Sequence, residues 1–406
     1  MTSSGVDPWS GVDSSSGVDS SPGVDPLSGV NPSSARRRRV VVSGGAGFVG
    51  SHLCELLVVR GDDVVVVDDL SSGSRDNIAH LLTEAGGAPA GGAPAGGAAP
   101  GSTAGAGGVG RGTLELVVAD VASWPVIDGP VDAVAHLASP ASPPDYLERP
   151  LQTLAAGSEG TRWALELAGA HQARFLLAST SEVYGDPAVH PQHEDYWGNV
   201  NPVGPRSVYD EAKRFAEALT MAHARVHGTD VGIARIFNTY GPRLRAGDGR
   251  VVSNFLVQAL TGAPLTVYGD GSQTRSLCYV DDTVAGLVAL LDSTERGPFN
   301  IGNPAEISVA ELARHVVELT GSASTIEHRP LPQDDPTRRC PDIAKARAAL
   351  GWHPLVAADE GLRRTAAWFE RHLCAGEGDG PGGDGAAAGC GAGEGGAGAG
   401  GGRAVL

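Results

Sequence analysis

Lysine is almost missing from this chain: of 30 basic residues only Lys213 and Lys345 are lysines. Composition bias accounts for much of that, so the retention of a lysine at any one position is only suggestive. Cysteine is also sparse. Cys54, Cys278, Cys340, Cys374 and Cys390 are odd in number, scattered, and show no CxxC spacing. This excludes a disulfide framework, gives no metal-ligand pattern, and fits a reducing compartment. No apolar run reaches the length of a membrane span, and no membrane association is expected. Positive charge is in deficit, with a formal net charge of −17, which argues against a nucleic-acid partner held through phosphates. Arg36–Arg39 is the exception. An anion patch or a twin-arginine export signal could begin this way, but no apolar segment or cleavage site follows. The run reads as a solubilising lead into the first strand, and the expected location is cytoplasmic.

Glycine is in excess at 59 residues, much of it outside any foldable pattern. Residues 1–35 repeat Gly-Val-Asp every six residues among Ser and Pro, too poor in apolar positions to offset the entropy of ordering. Residues 84–112 form an Ala/Gly/Pro segment, and 375–402 a Gly-rich one. Both read as flexible additions with no packing role. The expected organisation is a low-complexity tail (1–38), a dinucleotide-binding domain (39–243) carrying the insert, a second lobe (244–374) mainly contacting substrate, and a Gly-rich tail (375–406).

What is present begins at "VVVSGGAGFVGSHLCELLVVRGDDVVVVDDL". Val40–Val42 is a short apolar run suited to a buried parallel strand. Leu53, Leu56 and Leu57 have helical spacing and Gly61 ends the helix. Val64–Val67 is a second strand. Between the first strand and the helix lie Gly44, Gly47 and Gly50. Glycine there allows a tight turn, close approach to a pyrophosphate and close helix–strand packing. The helix N-terminus supplies free N–H groups and the positive dipole end. Asp68, ending the second strand, can accept from adenosine ribose hydroxyls and would repel an additional phosphate, so NAD is expected over NADP.

A later strand, Phe175–Ala178, runs into "STSEVYGDP", and in a parallel α/β sheet ligands bind at such carboxyl ends. Downstream, Tyr209 and Lys213 in "YDEAK" stand four apart and share one helix face. Lys213 can sit near the Tyr209 phenol and reach a nicotinamide ribose. A free tyrosine, with a pKa of about 10, is a weak base, but Lys⁺ and an oxidised nicotinamide both favour phenolate. Thr180 can hydrogen-bond the same oxygen.

The G-x-x-G-x-x-G spacing with Y-x-x-x-K resembles the extended short-chain dehydrogenases/reductases. That implies a Rossmann-type, doubly wound parallel sheet with a smaller mixed α/β substrate-binding lobe. "HLASPASPPDY" (136–146), "LLASTSEVYGDPAVHPQHEDYWGNVNPVGPRSVYDEAKR" (176–214), "ARIFNTYGPR" (234–243), "DGRVVSNF" (248–255) and "LTVYGDGSQTRSLCYVDD" (265–282) resemble the UDP-glucuronate decarboxylases. By that resemblance the sugar is oxidised at C4 by NAD⁺ with Tyr209 as base, loses CO₂ as a β-keto acid, is protonated at C5 and is reduced again to UDP-xylose. Asp120 and Val121 would flank the adenine. Further cofactor contacts are expected at Phe48, Val49, Asp69, Gly73, Leu137, Ala138, Ser139, Ala178 and Thr239. Ser181 and Glu182 occupy positions where 4,6-dehydratases carry Asp and Glu; without the acid, elimination is disfavoured and Glu182 is left to handle a proton or water near C5. Arg275 is the candidate for the uronate carboxylate or for proton delivery after CO₂ loss, with diphosphate binding as the competing assignment. Asn238, Arg250 and Asn254 are expected at the diphosphate-sugar, and Tyr268 and Gln273 at the nucleotide. A homodimer is implied as well. Ala155 and Gly157 depart from the animal members, which have Lys and Asn there, and Gly157 inside a helix should cost about 1 kcal/mol relative to Ala. The alternatives are release of a UDP-4-keto-pentose with NADH, another nucleotide-sugar 4-epimerase or 4,6-dehydratase, or a catalytically silent NAD-binding module.

Overall fold

The structure, a computed structural model, describes residues 36–82, 110–123, 125–331 and 337–376. The Gly-Val-Asp tail, residues 84–109 of the insert and the Gly-rich stretch from 377 lie outside them. Seven parallel strands form the central sheet: Arg39–Ser43 (β1), Asp63–Asp68 (β2), Leu114–Val118 (β3), Ala133–His136 (β4), Arg174–Thr180 (β5), Val231–Ile236 (β6) and Pro298–Ile301 (β7). Their spatial order is β7-β6-β5-β4-β1-β2-β3. The order reverses between β1 and β4, which opens a crevice at the carboxyl ends of these strands.

The valine runs are explained by burial on both faces. Val40, Val42, Val64 and Val66 belong to one core with Leu53 and Leu57, while Val41, Val65 and Val67 belong to the other with Trp163 and Leu165. The helices supplying these faces are Phe48–Val59 (α1), Pro143–Glu148 (α2), Pro150–Ala155 (α3), Thr161–His171 (α4), Ser207–His227 (α5), Val251–Leu260 (α6) and Val280–Asp292 (α7). Val309–Thr320 (α8), Ala344–Leu350 (α9) and Ala358–Gly376 (α10) follow. The smaller lobe pairs Leu265–Tyr268 with Ile326–Arg329 and Thr274–Ser276 with Glu306–Ser308. The chain leaves this lobe between residues 280 and 301, where α7 packs on α1 and β7 completes the large sheet.

Three expectations at the edges change. Residues 110–112, read as part of a packing-free insert, are packed: Gly112 donates to Val58 O at 2.9 Å, and a Cβ there would lie 1.8 Å from Asp62 O. The arginine run does more than solubilise, because Arg36 pairs with Asp132 at 2.6 Å and Arg38 pairs with Asp292. Helix α10 continues to Gly376, two residues beyond the expected boundary.

Gly157 corrects the propensity argument. It lies in a π-helical turn, Ala156–Gly160, and a Cβ on it would meet Ala212 Cβ at 2.7 Å and Ala212 O at 2.8 Å. Glycine is what lets this segment approach α5 between Tyr209 and Lys213. Overpacking typically costs 1–3 kcal/mol and outweighs the helix-propensity gain of about 1 kcal/mol. Gly157→Ala is therefore expected to lower both the unfolding free energy and turnover, as read by chemical denaturation and initial rates. A more stable, fully active variant would contradict the close approach.

Two histidines, His136 buried and His52 half-buried, set an acid limit. His136 shares a 2.6 Å hydrogen bond with Ser43, joining β4 to β1, and burial first, then Lys213, lowers its pKa to about 3. His52 bonds Pro242 O at 2.9 Å, and burial lowers its pKa to about 4. Both folded values lie below the unfolded value of about 6.5, so the unfolded chain binds more protons as pH falls and stability is lost below that value. Between pH 7 and pH 5 the loss is up to about 2 kcal/mol per histidine. Urea midpoints at the two pH values measure it, and an unchanged midpoint would exclude neutral burial.

Candidate active site

A cavity of about 1540 Å³ runs along the crevice and is closed on its far side by the smaller lobe. This exceeds the ~300–1,000 Å³ of most small-molecule pockets and suits two nucleotide-sized ligands end to end. Every candidate residue named from the sequence lines it, from Gly44 and Asp68 at one end to Tyr268 and Gln273 at the other.

The glycine turn has three distinct geometries. A Cβ on Gly50 would lie 2.0 Å from Gly44 O, and one on Gly44 would meet Ala138 N at 2.7 Å, so both are small to let chain pack on chain. A Cβ on Gly47 would meet only Gly44 O, at 3.3 Å, so Gly47 is open to the cavity. Helix α1 starts there with no side-chain cap and no acid in its first turn, leaving N–H groups and a positive dipole end for an anion. The Asp68 carboxylate accepts from Ala46 N and Leu70 N, both at 2.9 Å, and so braces the turn. Each oxygen keeps a lone pair for a ribose hydroxyl. Asp120 accepts from Ala122 N at 2.8 Å. These features fit a dinucleotide.

At the centre, all seven residues of β5 are buried, and the strand ends on Thr180. The Thr180 hydroxyl accepts from Glu182 N at 3.2 Å, capping the short 3-10 turn Ser181–Tyr184, and hydrogen-bonds the Tyr209 phenol. The Tyr209 ring is buried and stacks on Tyr146, with centroids 5.4 Å apart and planes 9° from parallel. Burial pushes its pKa up to about 12, against the opposing pull of the Thr180 hydrogen bond and Arg250. The Lys213 Nζ donates to Ala178 O at 2.9 Å and stands 5.9 Å from the Tyr209 ring centroid, on the cavity wall. Burial lowers its pKa to about 8, so it remains mostly cationic at neutral pH. Burial of the phenol prevails over the Thr180 hydrogen bond and Arg250, so the phenolate form needs further positive charge beside it, such as an oxidised nicotinamide would bring.

The family model for the NAD dependent epimerase/dehydratase family matches residues 40–302. The chain belongs to that family. It is 48% identical over 341 residues to UDP-glucuronic acid decarboxylase 1 of Danio rerio, covering 84% of this chain and 75% of that one. It is 47% identical to UDP-glucuronic acid decarboxylase 1 of Arabidopsis thaliana, covering 83% and 71%. Among solved structures, the dTDP-glucose 4,6-dehydratase of Streptomyces venezuelae with NAD bound superposes with a TM-score of 0.68 at 26% identity, covering 83% and 98%.

Within this epimerase/dehydratase framework, Glu182 is the largest departure from the sequence reading. The sequence reading has it handle a proton or water near C5; the structure surrounds its carboxylate with arginines. Arg206 and Arg339 donate to its Oε2 at 2.8 and 2.9 Å, and Arg339 also donates to Ser181 O at 2.8 Å. Burial alone would raise its pKa, but Arg339 and Arg206, with Arg275 behind them, hold it at about 2. Such a group is a fixed anion and a poor base. Arg250 is paired with Asp248 at 2.8 Å while facing the cavity. The Thr239 hydroxyl is turned inward to Phe237 O.

Sequence reasoning missed Tyr146, Arg206 and Arg339. Tyr146 closes the quoted "HLASPASPPDY" stretch, and Arg206 lies one helical turn before Tyr209, so local signals existed for both. Arg339 had none. Its side chain is 1% exposed and comes from a segment 157 residues after Glu182, so only the tertiary fold joins them.

Proposed function

We propose that the protein decarboxylates UDP-glucuronate to UDP-xylose and CO₂, with NAD as a bound cofactor regenerated in each cycle. The observation that carries this reading is the charge arrangement opposite Tyr209: Arg206, Arg275 and Arg339 gather around Glu182, with Asp210, whose pKa burial and then Glu182 raise to about 7, as the other carboxyl group among them. The surplus positive charge suits a further carboxylate, that of a uronate, and guanidinium forks match carboxylate geometry. Neutral hexoses need no such surplus.

NAD, when bound between Gly47, Asp68 and Lys213, supplies the acceptor and later the donor of the C4 hydride. Tyr209, ionised to phenolate once the positive charge of a bound oxidised nicotinamide and of Lys213 offsets its burial, takes the C4 hydroxyl proton, with Thr180 hydrogen-bonded to its oxygen. Oxidation makes the sugar a β-keto acid. As the C5–C6 bond breaks, CO₂ leaves and the electron pair passes into an enolate whose C4 oxygen the Tyr209 and Thr180 hydroxyls stabilise. A proton from solvent then adds at C5, and the C4 carbonyl takes back the hydride at carbon and the Tyr209 proton at oxygen, which leaves Tyr209 as phenolate for the next cycle. Glu182, fixed and ionised, orients the sugar and keeps its arginines aimed.

The protein is further proposed to act as a cytoplasmic homodimer. Leu151, Leu154 and Phe215 leave an exposed apolar stripe on α3 and α5, beside a groove lined by Leu154, Ala212 and Phe215, which a second copy of the same helices would cover. Incubation with UDP-glucuronate and NAD⁺ tests the activity: CO₂ and UDP-xylose without net NADH are expected. Stoichiometric NADH with a keto sugar would replace this reading with release after decarboxylation, and NAD binding without turnover would replace it with a silent module.

A further inference from the structure

Beside the antiparallel ribbon of Thr274–Ser276 and Glu306–Ser308, three segments bring together His190, Glu306 and Cys340. Their donor atoms all lie within 4.8 Å of one another, and His190 Nε2 already stands 3.1 Å from Glu306 Oε2. We propose that these three side chains form a binding site for a thiophilic divalent cation of the zinc class, and that its occupation inhibits the enzyme.

The donor set carries the metal class. Imidazole, carboxylate and thiol are the ligands zinc takes, and three protein ligands leave a fourth position for water. Calcium and magnesium, which prefer all-oxygen ligands, suit it poorly. The backbone brings the three donors near one another before any metal arrives, while leaving them too far apart to share an ion without a small movement. Gln192 N donates to Cys340 O at 2.8 Å and Asp342 N to Gln192 O at 2.8 Å, while the Gln192 side-chain carbonyl accepts from Cys340 N at 2.9 Å. Asn300 clasps both strands through Gln192 O and Asp342 O. Glu306 is held by a hydrogen bond from Thr274 and by pairing with Ser276 in the antiparallel ribbon. Burial grades from the enclosed Cys340 through Glu306 to the exposed His190, which leaves an entry path from solvent.

Metal binding displaces the thiol proton to solvent, so one proton is released as the Cys340 S–metal bond forms. Inhibition follows from adjacency. Cys340 is bonded in sequence to Arg339, which holds Glu182, and the residue after Glu306 pairs with Arg275 across the ribbon. Drawing three donors onto a common ion with bonds of about 2.0–2.3 Å shifts both arginines, and a misplacement of about 1 Å near the chemistry can cost 100-fold in rate.

The full-length protein, stripped with chelator, is titrated with Co²⁺ and with Zn²⁺ against a chromophoric chelator, alongside Cys340→Ser and His190→Gln. One equivalent with a thiolate-to-cobalt absorption band is expected, with the band lost in Cys340→Ser and affinity at least tenfold weaker in His190→Gln. Equal binding and an equal band in all three proteins would overturn the site. In the activity arm, Zn²⁺ is expected to lower kcat at least tenfold in the parent protein, and the two variants to resist it. Stoichiometric binding without inhibition would overturn the coupling. The binding arm stands apart from the proposed decarboxylation: absent turnover with a normal cobalt band would count against that function and not against the site.

Discussion

Tyr209→Phe is expected to reduce turnover by at least about 10³-fold while leaving NAD affinity within a few-fold of the parent. General acid–base catalysis by a positioned side chain contributes roughly 10²–10⁴, and here one hydroxyl carries both the proton removal and its return. The substitution deletes a single oxygen. The ring keeps its 5.4 Å stack on Tyr146, and Lys213 keeps its bond to Ala178 O. A fall in kcat therefore reports the missing proton acceptor and not a collapsed site. Isothermal titration with NAD and a single-turnover assay on UDP-glucuronate separate the two effects. Normal turnover in this variant would remove Tyr209 from the mechanism.

The second large effect is expected at Glu182→Gln. Removing one partner of a buried ion pair costs about 3–5 kcal/mol, because the remaining charge is left unpaired, and here two guanidinium groups lose their anion. A lower thermal midpoint and a kcat reduced about 100-fold should appear together. The pH dependence has a definite sign. The folded pKa of about 2 is below the usual carboxylate value, so this pair's stabilisation is complete above about pH 4.5 and fades as pH falls toward 2. Combining Glu182→Gln with Arg339→Met should recover part of the lost stability, since the unpaired guanidinium goes too. A Glu182→Gln protein as stable as the parent would refute the clamp.

Much of this site was legible in the residues because its first half is local. A glycine turn, the strand ends at Asp68 and Thr180, and a helix presenting Tyr209 and Lys213 all follow from spacing within single βα units. The fixed periods of helix and strand then bring them to one crevice. The Glu182 environment was not legible, since its state depends on Arg339, whose position is set by packing of the 337–343 segment under the smaller lobe. Gly157 was misread for a related reason. Propensity scales price a residue against its own helix, whereas Gly157 answers to Ala212 on another. The return of residues 298–301 to the large sheet was likewise invisible, because "PFNI" pairs with a strand more than sixty residues earlier.

The scarcity of lysine has a practical corollary. Of the two ε-amines in the chain, that of Lys213 is enclosed between Ala178 O and the Tyr209 ring, while that of Lys345 is exposed on α9, bonded to Pro298 O and set over the Phe299 ring. Amine-directed reagents thus meet one accessible side chain, outside the cavity lining. A dye, a biotin or a surface tether attached at Lys345 would have a defined stoichiometry and orientation, with the working crevice left clear.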